Sequence, residues 1–183
     1  VPVIDLTLMT RDLYLSYGES YCTANLFCTD DSTHPKKMGA TLIARLFAQA
    51  MKEQGILAEH IIVGTDITFS PTTGDFGKAY AGQTLVKEFN ISAFGLASQT
   101  GTFTFTVSEG FEVSTDKKNY AQSATADYTG GNLISSVYIR ATMNTPGTLS
   151  GTLTATDGTV SRELPLVAEC IDLSGGEEVS VLW

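Results

Sequence analysis

The spacing of the apolar residues changes near Gly64, and this change limits what the chain can fold into. Before it, Met38, Leu42, Ile43, Leu46, Phe47, Ala50 and Met51 recur every three or four residues, which lines one stripe of a helix over residues 36–54. After it, apolar and polar residues alternate, which lines one face of a strand. Neither period can serve the other element, so a helical part followed by a sheet-forming part is required.

In the second part, residues 67–70, 85–91, 102–107, 111–114, 134–141, 149–156 and 160–171 read as strands. Asp157-Gly158 between the last two is a hairpin signal, and Gly130-Gly131 and Pro146-Gly147 mark further turns. Roughly seven to nine short strands at this spacing predict an antiparallel β-sandwich of about a hundred residues. Phe103 and Phe105 share a strand face and are expected in its core.

The first part reads differently. Residues 1–6 form a short apolar run, the pattern of a buried parallel strand. Thr10 can cap a helix from Arg11, and Gly18 ends it. Residues 19–29 carry little pattern. Helix 36–54 closes at Gly55, and residues 56–63 form a short helical or extended tail. Residues 1–63 therefore read β-α-loop-α, the terminal unit of an α/β sheet.

Charge narrows the partners. The formal net charge is −9, most of it after residue 63, which excludes a phosphate backbone as the natural partner. No apolar run approaches the ~20 residues that span a bilayer. Cys22 and Cys28 are close enough to bridge in an oxidising compartment, and three unpaired thiols with Cys170 are an equal alternative. No ligand spacing supports a metal, and no cofactor is expected. Glu177-Glu178 reads as solvated linker, and His60 as a solvent-facing or packing residue.

One loop, Asp30-Asp31-Ser32-Thr33-His34-Pro35, brings an acid and a histidine together. A serine hydrolase needs an imidazole as general base and a carboxylate to hold its Nδ1–H tautomer. Asp31 would orient His34, and His34 would take a serine proton. The alternative is that an acid or hydroxyl of the loop caps the following helix and His34 is a plain surface residue. Gly18-Glu19-Ser20 does not complete a triad, because it follows a helix only eleven residues before Asp31.

Val3-Ile4-Asp5-Leu6, the helix after it, Asp31-Ser32-Thr33-His34-Pro35, Gly39-Ala40 and Ile43-Ala44 together resemble the C-terminal block of the SGNH (GDSL-type) hydrolases. The likeness is greatest to the rhamnogalacturonan acetylesterases. It covers residues 1 to about 57 and implies that Asp31 and His34 are the acid and base of a flavodoxin-like esterase domain. The nucleophile block (Gly-Asp-Ser) and the oxyanion glycine and asparagine of that family have no counterpart here, so this chain alone should lack hydrolysis. The order from Phe89-Asn90-Ile91-Ser92 to Gly147-Thr148-Leu149-Ser150-Gly151 is similar to immunoglobulin-like accessory sandwiches of bacterial polysaccharide-degrading proteins, pectate lyases among them.

These resemblances imply an SGNH portion at residues 1–63, an accessory sandwich at 64–173, and a linker or the start of a further module at 174–183. The chain begins Val1-Pro2 and ends on Trp183, and is expected to be a piece of a longer bacterial protein that is secreted, periplasmic or on the cell surface. Its implied partners are pectic polysaccharide and modules upstream and downstream. Tyr80, Tyr120 and Tyr128 are the candidate sugar-stacking residues. A non-catalytic binding or spacer module is the competing expectation.

Overall fold

The computed structural model describes residues 2–172. The chain divides into two compact units at Gly64/Thr65.

Among the described residues the second unit is a β-sandwich of nine strands: β1 Asp66–Ser70, β2 Gly74–Tyr80, β3 Thr84–Phe94, β4 Thr100–Val107, β5 Phe111–Ser114, β6 Ser123–Thr129, β7 Leu133–Thr142, β8 Gly147–Thr156 and β9 Ser161–Ile171. One sheet runs β1-β3-β7-β5, the other β2-β9-β8-β4-β6. Both inner faces meet in one core. The first sheet contributes Phe89, Ile91, Phe111, Val113, Val137 and Ile139, the second Phe103, Phe105, Leu153, Ala155, Leu164 and Leu166. Four phenylalanines, Phe89, Phe103, Phe105 and Phe111, are fully buried. Each stabilises the fold by about 1.5–3 kcal/mol relative to an exposed ring. The alternation predicted along residues 160–171 is literal in β9, where Leu164, Leu166, Ala168 and Cys170 point inward.

The expectation of a purely antiparallel sandwich needs correcting. β2 pairs with β9 in parallel, with a register shift between Asp75 and Lys78. The chain leaves β1 in one sheet and enters the other as an edge strand, so a hairpin does not set its direction. Gly74 makes the pairing possible: a β-carbon there would overlap the Pro165 carbonyl oxygen and press on Leu166 Cδ2 at 2.7 Å.

The first unit is helical. Helix α1 spans Leu6–Tyr17, a helical turn α2 spans Glu19–Tyr21, a π-helical turn spans Cys22–Leu26, helix α3 spans Lys37–Glu53, and a 3-10 turn spans Ala58–His60. Two expectations fail here. Residues 2–5 form no strand, because among the described residues of this unit there is no sheet to hydrogen-bond with them. The β-α-loop-α reading of residues 1–63 is therefore helix, loop and helix.

The first helix also starts earlier than predicted. Asp5 is its N-cap, its Oδ1 accepting the Leu8 N–H at 2.9 Å, while the Thr10 hydroxyl donates back to the Leu6 carbonyl at 2.8 Å from inside the helix. The end at Gly18 is as expected, its N–H donating to the Tyr14 carbonyl at 3.0 Å. Helix α3 buries Met38, Gly39, Leu42 and Ala50, but Phe47 of the predicted stripe is exposed.

The linker or further module expected at 174–183, with Glu177, Glu178 and Trp183, lies outside the described residues.

Candidate functional site

The loop holding Asp31 and His34 hangs from a two-rung ladder. Cys28 N–H donates to the His34 carbonyl at 2.9 Å, Lys36 N–H donates to the Leu26 carbonyl at 2.7 Å, and Phe27 faces Pro35 between them. The ring of Tyr14 holds Phe27 edge-on at a centroid distance of 5.3 Å, which ties the ladder to α1. Across the tip, Asp31 N–H donates to the Cys28 carbonyl at 3.1 Å, and Asp30 takes a positive φ of 58° to close the turn. Aspartate is one of the residues that tolerates this backbone region.

Both oxygens of the Asp31 carboxylate are engaged. Oδ1 accepts the Thr33 N–H at 2.7 Å and the His34 N–H at 3.0 Å. Oδ2 lies 2.5 Å from Nδ1 of the His34 ring. The two backbone donors, first Thr33 and then His34, and after them the imidazole, hold the carboxyl below the usual carboxylate range. Asp31 therefore stays an acceptor at neutral pH, and an acceptor at Nδ1 selects the Nδ1–H tautomer, leaving the Nε2 lone pair free. His34 is 78% exposed in its side chain, and no hydrogen bond engages its Nε2 among the described residues.

The capping alternative fails on geometry. The N-cap of α3 is Lys36 and no side chain accepts from that helix terminus. The Asp31 oxygens are engaged instead by the Thr33 and His34 N–H groups and by the imidazole. What the arrangement can do chemically is limited: the carboxylate holds Nδ1 of the exposed imidazole and leaves Nε2 directed away from it.

Serine 20 is exposed and makes no hydrogen bond to His34, and the same holds for Ser32 beside it. The chain has three cysteines. All three are free thiols: Cys22 and Cys170 are buried and Cys28 is exposed, so the bridge considered between Cys22 and Cys28 is absent. Burial pushes the Cys22 thiol up, away from the reactive thiolate. An apolar groove of about 440 Å³ runs along α1 past Arg11, Tyr14, Leu15, Cys22 and Phe27, but neither Asp31 nor His34 lines it.

The structure places the three candidate tyrosines apart. Tyr80 ends β2 and is 42% exposed. Tyr120 is half-buried beneath the Arg140 guanidinium, 4.5 Å above its ring. Tyr128 is buried in the core at 6% exposure, edge-on to Phe103, so it cannot serve as a surface platform. The reason is the inward face of β6, where Ala124, Ala126 and Tyr128 alternate toward the sandwich interior. The Tyr138 ring was missed by sequence reasoning; its hydroxyl donates to Glu88 at 3.1 Å and Lys117 Nζ sits 4.3 Å above it. His60 is exposed beside Glu59. Among the described residues no cluster of acids, histidines and cysteines is placed to hold a metal ion, and no helix is long and apolar enough to cross a membrane.

No family model and no curated protein matches the chain. Solved structures do. A family 123 glycoside hydrolase from Clostridium perfringens is similar at 12% identity and a TM-score of 0.37, over 60% of this chain and 27% of that one. A conjugative transposon lipoprotein from Bacteroides eggerthii is similar at 14% identity and a TM-score of 0.38, over 58% of this chain and 98% of that one. WR4, an MSP family member from C. elegans, is similar at 15% identity and a TM-score of 0.34, over 57% of this chain and 97% of that one. At these scores the sandwich assignment stands on the chain's own strand pairing and shared core.

Proposed function

We propose that Asp31 and His34 are the acid and base of a Ser-His-Asp esterase acting on acetylated pectic polysaccharide, within a longer secreted protein to which this chain contributes the acid–base loop and an immunoglobulin-like accessory sandwich. The observation that carries the reading is the 2.5 Å contact from Asp31 Oδ2 to His34 Nδ1, made by a carboxylate whose other oxygen is fixed by two backbone N–H groups.

In that chemistry His34 Nε2 removes the proton of a serine hydroxyl supplied from outside these residues as its oxygen bonds to the acetyl carbonyl carbon. The C–O bond to the sugar then breaks, and the imidazolium returns the proton to the departing sugar oxygen. Water repeats the cycle on the acyl-serine and releases acetate. Asp31 stabilises the imidazolium in each half and keeps its own charge.

Acetate release from acetylated pectin by the parent polypeptide tests this. His34→Ala should lower kcat by a factor on the order of 10³ or more. Unchanged release by His34→Ala would overturn the role. The sandwich supports a second reading, a binding or spacer module, because it has a complete core of its own. Affinity electrophoresis of the chain against pectic polysaccharides separates binder from spacer: retardation indicates a binder.

A further inference from the structure

We propose that Gly39 is a positioning residue for the Asp31–His34 pair, acting as the seat on which both ends of the loop rest. The inference rests on the acid–base reading of that pair. Gly39 is buried in the first turn of α3. A β-carbon built on it would overlap the carbonyl oxygen of Leu26 and lie 3.2 Å from Pro35 Cβ. Leu26 is where the chain enters the loop, and Pro35 is where it leaves. One missing methyl group thus lets the helix touch entry and exit at once.

The Leu26 carbonyl is also the acceptor for Lys36 N–H at 2.7 Å, the rung that closes the base of the loop. It faces the Lys36 N–H and the Gly39 α-carbon together. A side chain at Gly39 must push this carbonyl or the helix away, and backbone atoms give way less readily than a flexible side chain. The displaced rung is joined through Phe27 and Pro35 to the second rung, from Cys28 to His34, and so to the backbone carrying the imidazole. Asp31 is tied to the same frame by its N–H bond to the Cys28 carbonyl. Glycine early in α3 weakens the helix relative to alanine, and at this position it permits the close approach to Leu26 and Pro35.

Two variants of the full chain test the role, read by ¹⁵N shifts of the His34 ring and by amide exchange. Gly39→Ala should turn a single Nδ1–H tautomer into a mixture and speed exchange of the Cys28 and Lys36 amides about tenfold or more, with the α3 amides still protected. Lys36→Pro deletes the rung together with the ammonium contact to the Ala24 carbonyl, and the Lys36 φ of −65° suits proline. It should give the same mixture, while Lys36→Met, which keeps the N–H but loses the ammonium bonded to the Ala24 carbonyl, should not. If Gly39→Ala melts α3, Lys36→Pro decides. A retained Nδ1–H tautomer in both variants overturns the positioning role and leaves the acid–base reading standing. Absence of that tautomer in the unaltered chain overturns the acid–base reading itself.

Discussion

The two units hold their shape by different means. The sandwich is held by volume: phenylalanines from both sheets fill one core, and its polar outer face carries ion pairs such as Arg140–Glu112 that lie at the surface. The helical unit has little to bury. Its buried apolar side chains are Cys22, Leu26, Met38, Leu42 and Ala50, helix α1 buries none of its residues, and Leu15 is 73% exposed. Yet the Asp31–His34 contact sits there, on a loop built from backbone hydrogen bonds. An oriented side-chain pair needs fixed direction more than it needs burial, and short backbone ladders supply direction.

Truncating each core would break the comparison most forcefully. Phe105→Ala should destabilise the sandwich by about 3–5 kcal/mol, read from hydrogen exchange of the β3, β4 and β7 amides. Leu42→Ala should cost the helical unit nearer the low end of the ~2–5 kcal/mol range, because Leu42 has fewer buried neighbours to lose. Equal losses in the two units would contradict the contrast.

A smaller effect comes from pH. The Asp31 carboxyl sits below its ordinary value of 3.8 in the folded loop. A depressed folded value means the loop's order is fully present above the unfolded carboxylate range and is lost as pH falls through the lowered folded value. The carboxylate step reported by the Thr33 amide signal should therefore fall below about pH 4, the ordinary aspartate range. A midpoint at or above 3.8 would remove the claimed hydrogen bonds from the Asp31 carboxylate.

Much of the sandwich was legible in the chain because period-2 alternation of large apolar residues is a direct image of a two-faced strand. Strands β2 and β6 were not. In β2, Gly74 and Gly77 flank a bulge and hide the alternation, and in β6 the inward side chains are mainly alanines. The parallel β2–β9 pair could not be read, since strand direction at a sheet edge depends on contacts distant in sequence. For the loop, the residue types Asp31 and His34 were visible, but the spacing did not separate a helix cap from an oriented base. That distinction rests on which donors each carboxylate oxygen accepts, which only coordinates reveal. The failed strand at residues 2–5 teaches the converse: an apolar run becomes a strand only where a neighbour offers its backbone.

The central claim is that Asp31 sets the His34 tautomer, and the ¹⁵N shifts of the two His34 ring nitrogens at about pH 9, above the ordinary imidazole range, test it most directly. The structure requires Nδ1 to carry the proton and Nε2 to be bare, and Asp31→Asn to abolish that preference. A ring protonated on Nε2, or one indifferent to Asp31→Asn, would contradict the account.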